Sequence, residues 1–175
     1  MAYINGKEIW CSIGFDLYAP EIMAGTVKTL PSAAFEGATV LRPYALYGCK
    51  ALERVELASS VTDIGSEAFY SCTALKSVVL PQELTHISTN AFLSCTALEG
   101  IDIPAKVDTI AGRAFQGCTA LKTVTMRGNT PPKLVATAFN GVTLTSIIVP
   151  KGSADAYKAA TNWSDYAEII TEAVE

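Results

Sequence analysis

Cysteine is the residue type here with the most chemistry to offer, and its placing is regular: Cys49, Cys72, Cys95 and Cys118 follow one another at intervals of 23 residues. A thiolate can attack an electrophile, ligate a metal or pair into a disulfide. Layers of a stack lie about 4.8 Å apart, within the Cα range for a disulfide. Equivalent residues of adjacent layers point the same way, however, so a column of four does not close into two bridges without distortion. Metal ligation lacks its usual spacing, since no Cys-x-x-Cys pair is present and His86 is the single histidine. Buried free thiols acting as small hydrophobes are the expected state, with disulfide and metal as the alternatives. Cys11 stands outside the repeat. His86, beside Ile87, is expected to face outward, and no Gly-x-Ser-x-Gly elbow or phosphate loop accompanies it. The carboxylates Glu53, Glu56, Glu67, Glu83, Glu99, Asp102 and Asp108 are dispersed, which reads as a solvated face. No catalytic, cofactor-binding or metal site, and hence no enzyme, is expected.

The elements that carry these cysteines repeat with them. Ala68-Phe69-Tyr70-Ser71-Cys72-Thr73-Ala74-Leu75 has counterparts at 45–52, 91–98 and 114–121. A fixed period of this length marks a solenoid, because one unit cannot bury its apolar face alone. After each phrase comes Leu75-x-x-Val78-x-Leu80, matched by Leu52, Val55, Leu57; Leu98, Ile101, Ile103; Leu121, Val124, Met126; and Leu144, Ile147, Val149. The alternation is that of a strand buried on one face, and Pro81, Pro104 and Pro150 stop it. Stacking puts these strands in a parallel ladder. Val61 and Ile64, Leu84 and Ile87, Val107 and Ile110 supply a second apolar pair. Ala-Phe-x-x-Cys is a short helical turn pinned by its phenylalanine, so Phe69, Phe92, Phe115 and Phe139 should form an aromatic column.

The ends depart from the pattern, as terminal repeats do. Ala34-Phe35-Glu36-Gly37 reads as a degenerate earlier unit, and Val142 takes the cysteine position of the fifth. Ser153 suits a helix N-cap and Asp155 the positive helix start. Tyr157, Ala160, Trp163, Tyr166 and Ile169 would cover the last layer. Tyr3-Ile4-Asn5-Gly6-Lys7-Glu8-Ile9-Trp10 is a hairpin signal with Asn-Gly suited to a two-residue turn. The expected division is 1–25 as N-terminal hairpin or cap, 26–150 as about five units of 23–24 residues, and 151–175 as C-terminal capping segment.

Half the residues are hydrophobic and 17% are charged, which fits a stack with most columns inward. The net charge of −4, with 13 scattered Lys and Arg, argues against nucleic acid. No apolar run approaches the roughly 20 residues that span a bilayer. The first ten residues lack the charged leader and apolar segment of a secretory signal. The compartment stays open between cytoplasm, virion and a surface reached after removal of a signal.

These residues resemble the BspA-like leucine-rich repeat family, the bacterial 23-residue class, whose Leu-x-x-Val-x-Ile-Pro, Val-x-x-Ile and Ala-Phe-x-x-Cys pattern recurs through 45–126. The ending resembles the family's too, in Thr130-Pro131-Pro132, Ala138-Phe139, Val149-Pro150-x-Gly152, Tyr157 and Trp163. The resemblance covers about 26–172. It implies an α/β repeat fold: a right-handed leucine-rich-repeat solenoid with a parallel strand ladder on the concave side, short helical turns and a C-terminal capping helix. It also implies a non-enzymatic surface or secreted protein that binds other proteins. The opening Met-x-Tyr-Ile-Asn-Gly-Lys-Glu is similar to the start of small phage structural proteins from gut bacteria. That similarity implies the alternative, a structural component attached through its hairpin.

The expected partner is a protein, held on the outward strand positions: Arg54 and Glu56, Lys76, Ser77 and Val79, Asp102, Lys122, Thr123 and Thr125, Ser146 and Ile148. Gly100 completes the row. No aromatic anchor lies among them, although recognition hot spots favour Trp, Tyr and Arg. Tyr3, Ile4 and Trp10 are the residues expected to serve assembly, and open stack ends leave a homo-oligomer among the outcomes.

Overall fold

A computed structural model describes residues 26–174 and the backbone of 2–4 and 7–9. β1 (Ala2–Ile4) pairs antiparallel with β2 (Lys7–Ile9), Tyr3 opposite Glu8 and Ile4 opposite Lys7. Trp10 and Cys11 lie outside the described residues. Each repeat then contributes two short strands: β3 (Thr29–Leu30) and β4 (Val40–Leu41), β5 (Arg54–Glu56) and β6 (Asp63–Ile64), β7 (Ser77–Val79) and β8 (His86–Ile87). β9 (Gly100–Ile103) and β10 (Thr109–Ile110), then β11 (Thr123–Met126) and β12 (Lys133–Leu134), continue the series. β13 (Ser146–Val149), α1 (Ala154–Ala159) and β14 (Ile170–Glu172) complete it.

All pairings among the repeats are parallel, as strands of successive coils must be. The first ladder runs β3-β5-β7 and β9-β11-β13-β14; the second runs β4-β6 and β8-β10-β12. The first ladder exceeds the five strands read from the sequence. β3 extends it at one end, and β14 at the other places Ile170 beside Ile147. Pairing is interrupted between β7 and β9, where a single backbone bond, Glu99 N–H to the Lys76 carbonyl at 3.4 Å, spans the junction.

A third spine, built from the turns, is continuous. The amides of Leu46, Phe69, Phe92 and Phe115 donate to the carbonyls of Ala68, Ala91, Ala114 and Ala138 at 2.8–2.9 Å. Stacking at strand spacing forces the rings face to face: Phe69–Phe92 at 4.9 Å, then Phe92–Phe115 and Phe115–Phe139 at 5.3 Å. Leu46 occupies the same place in the first turn and is buried. Phe35 is buried but stands outside this column. Ala34-Phe35 belongs to the 3-10 turn Ser32–Phe35 between β3 and β4, not to an Ala-Phe-x-x turn, which corrects the sequence reading.

Each turn closes through a residue of positive φ: Gly48, Ser71, Ser94, Gly117 and Gly141. A side chain there costs about 1–2 kcal/mol, against roughly 0.5–1 kcal/mol of chain entropy lost by glycine. Ser94 has φ of 61°, and Ser94→Gly is therefore expected to stabilise by about 0.5–1 kcal/mol. The urea midpoint should rise; a fall would show that the serine side chain contributes more than its strain.

The far end is closed by side chains that donate back into the last repeat. The Tyr157 hydroxyl donates to the Gly128 carbonyl at 2.8 Å, Trp163 Nε1 to Pro132 at 2.8 Å, and Asn162 Nδ2 to Leu134 at 2.7 Å. Tyr157 and Trp163 are fully buried, while Ala160, Tyr166 and Ile169 pack partly buried against the core. Ser153 precedes α1 without capping it through its side chain, and its hydroxyl faces Asn129 instead. Asp155 does lie in the first turn of α1.

Candidate functional site

The four cysteines of the repeat are free thiols and buried. Each of the last three donates to the carbonyl of the preceding turn: Cys72 to Leu46 at 3.0 Å, Cys95 to Phe69 at 3.0 Å and Cys118 to Phe92 at 3.1 Å. The Phe69 carbonyl also accepts the Cys72 amide, so both its lone pairs are used. The thiols are thus hydrogen-bonding members of the spine, a role the sequence reading missed. The neighbouring Cys49 thiol and burial push Cys72 up, and burial together with Cys118 pushes Cys95 up. Both are fully buried, which disfavours the thiolate that nucleophilic or metal chemistry requires, whereas the hydrogen bond with Cys72 lowers Cys49. Thiol titration of the native chain should leave Cys49, Cys72, Cys95 and Cys118 unreactive, all four appearing on denaturation; rapid native reaction of any would contradict their burial.

His86 faces outward, as expected. Its Nε2 lies 3.3 Å from Asp63 Oδ1, and its Nδ1 lies 3.2 Å from the Thr85 hydroxyl. Among the described residues no group of three or more His, Cys, Asp or Glu could hold a metal.

The outward strand positions form three parallel rows. The register aligns Arg54 with Ser77, and Gly100 with Thr123 and Ser146. Beyond Arg54 this middle row carries only small side chains, half-buried, so it is the floor of a shallow trough. On one side lie Lys28, Glu53, Lys76, Glu99 and Lys122, whose charges alternate layer by layer. Glu53 sits between two lysines, 3.1 Å from Lys28 and 2.9 Å from Lys76, and these hold its carboxyl below the usual range. On the other side lie Glu56, Val79, Asp102, Thr125 and Ile148. Asp102 accepts from Arg127 Nε at 2.7 Å, raising the guanidinium pKa.

The structure therefore brings the proposed partner-binding positions onto one face but engages three of them, Lys76, Asp102 and Lys122, internally. Lys76 is committed to Glu53 and Asp102 to Arg127, a residue the sequence reading did not connect to this face. Arg54 is exposed, and its guanidinium has no hydrogen-bond or ion-pair partner among the described residues. Lys122 Nζ donates to the Thr143 carbonyl at 3.2 Å. Aromatic side chains lie elsewhere, on the turn ridge. Tyr44 and Tyr47 are 57% and 43% exposed, and Tyr47 stacks on Tyr70 at 4.8 Å. The signal for Tyr47 and Tyr70 was the variable residue after Ala-Leu and Ala-Phe, which the repeat alignment set aside; Tyr44 stands just before that phrase.

Parallel strand ladders on a 23-residue coil and one buried column per apolar position define a leucine-rich-repeat solenoid. The chain belongs to the BspA type leucine rich repeat family, whose model matches six copies over residues 39–165. No curated protein matches it. Among solved structures, a leucine rich cell surface protein from Faecalibacterium prausnitzii superposes with a TM-score of 0.61 at 22% identity, covering 85% of this chain and 36% of that one. The T. pallidum leucine rich repeat protein superposes at 0.60 with 33% identity, over 69% of this chain and 56% of that one. The pneumococcal vaccine antigen PcpA gives 0.60 at 17% identity, over 85% and 42%. The chain thus spans from about a third to just over half of these proteins. Leucine-rich repeat proteins of this kind are generally non-enzymatic and usually serve protein binding or surface roles.

Proposed function

We propose that this chain is a protein-binding module whose contact surface is the outward face of the first strand ladder. One observation carries the reading: a floor of small side chains, Ser77, Gly100, Thr123 and Ser146, runs between two rows of longer ones. Such a floor lets a partner's backbone or side chains approach the sheet closely. Arg54 stands at its end as a free cation of the type enriched in hot spots. The strands are spaced at about 4.8 Å, so the five from β5 to β13 offer roughly 20 Å of width, enough for part of a standard interface. In this reading 26–150 form the recognition stack, with 1–25 and 151–175 closing its ends. The pairing of β1 with β2, and the approach of β1 to the 3-10 turn Ser32–Phe35, support a closing role for the hairpin.

The test uses binders selected from a displayed protein library against the full chain. Thr123→Arg fills the trough and Arg54→Glu reverses its cation. Each is expected to weaken the selected binders by about tenfold or more, the loss of roughly 1.4 kcal/mol that a hot-spot contact supplies. Binders that retain full affinity for both variants would place recognition on another surface.

A further inference from the structure

At the edge of the strand face the chain leaves β5 and β7 and turns beside the 3-10 segment Ser32–Phe35. The walls there enclose an open groove of about 690 Å³. Val79 gives it an exposed apolar side, backed by the buried Leu57, Leu80 and Pro81, while Glu36 and Glu56 bring two carboxylates to it. Val79 is 43% exposed, a large apolar side chain left to solvent beside Glu56, its register neighbour.

Carboxylates along the stack differ in whether a cation meets them. Glu53 is held by Lys28 and Lys76, Glu83 by Lys106 and Asp102 by Arg127, while the imidazole of His86 lies 3.3 Å from Asp63. The carboxylates of Glu36 and Glu56 have no hydrogen-bond or ion-pair partner among the described residues. The reason lies in the stack. Glu56 is followed in its row by Val79, so no cation stands one layer along. The nearby lysines Lys28 and Lys76 are already committed to Glu53.

We propose that this groove receives an extended segment of a partner protein that places a lysine or arginine side chain between Glu36 and Glu56 and a small apolar side chain on Val79 and Leu80. Side chains two apart in an extended chain share one face, so a basic residue and a Val or Ile at i and i+2 satisfy both walls together. Desolvation beside the apolar wall strengthens the charge pairing. The carboxylate pair excludes acidic segments and so sets specificity by sign. The inference rests on the strand face being a recognition surface, since Glu56 and Val79 belong to both.

The probe is a fluorescently labelled alternating lysine–valine octapeptide, titrated into the full chain and read by anisotropy. The expected result is saturable one-to-one binding, weakened about tenfold or more by Glu36→Gln/Glu56→Gln and also by Val79→Ser. An alternating glutamate–valine peptide should not bind. Thr123→Arg, two strands away, should leave lysine–valine binding unchanged, so failure of the trough and failure of the groove are read separately. Equal affinity for wild type and the Glu36→Gln/Glu56→Gln variant overturns the proposal. So does an unchanged affinity for Val79→Ser, which would leave only diffuse attraction of a polycation. Stoichiometric displacement of the peptide by calcium, with calcium bound in its absence, would overturn it in favour of a cation site.

Discussion

Phe92→Ala is expected to lower the stability of this chain by about 3–5 kcal/mol. Phe92 is wholly buried and stacked on both faces, on Phe69 at 4.9 Å and on Phe115 at 5.3 Å. Removing it opens a ring-sized cavity in the middle of a column, where neighbours on either side are held by the turn spine and cannot collapse inward. Domains of ordinary stability hold only about 5–15 kcal/mol in total, so one truncation removes a large share. At about 2–4 °C per kcal/mol for a chain of this size, the melting temperature should fall by roughly 6–20 °C. Phe92→Leu should cost less than half as much, because Leu46 already fills that place in the first turn. Urea denaturation followed by circular dichroism measures both. A loss under about 1 kcal/mol for Phe92→Ala would show that the column does not carry the core.

Trp163→Ala is expected to have an effect of similar size but a different pattern. Trp163 is fully buried, meets Tyr157 edge to face at 5.3 Å, and donates Nε1–H to the Pro132 carbonyl at 2.8 Å. Losing the indole costs about 3–5 kcal/mol, and the stranded carbonyl accounts for part of that if it stays dry. A solenoid is held by neighbour-to-neighbour contacts, so damage at an end frays inward rather than melting the whole stack at once. Hydrogen exchange should therefore lose protection first in β12, β13 and β14, while β8 and β10 keep theirs. Trp163→Phe preserves most of the ring and removes only the donor, and should cost about 1–3 kcal/mol. Uniform loss of protection along the chain would mean that the closing segment and the repeats unfold as one unit.

The repeat phrase made most of the architecture legible because its columns have one meaning in every layer. The Leu75, Val78 and Leu80 positions, the Phe column and the buried cysteines all follow from a rule applied at intervals of 23 residues. Where the spacing drifts, that rule misleads. Thr29 pairs with Arg54, a spacing that differs from the repeat, so Ala34-Phe35 resembled a repeat turn while lying in the link between β3 and β4. β14 was not foreseen, since Ile170-Thr171-Glu172 carries no repeat signature and is a strand only because the edge of β13 is open beside it. The trough was legible as a set of outward positions. The ion pairs that occupy Lys76 and Asp102 were not, because they join residues by proximity across layers.

The sequence by itself determined the coil, the parallel ladders and the inward columns. Each follows from local spacing repeated often enough to be unambiguous. Only the tertiary structure decided which outward groups remain free. Arg54, Glu36 and Glu56 are left unpaired among the described residues because charge pairing is settled by distances between layers, and no single repeat contains both members of a pair.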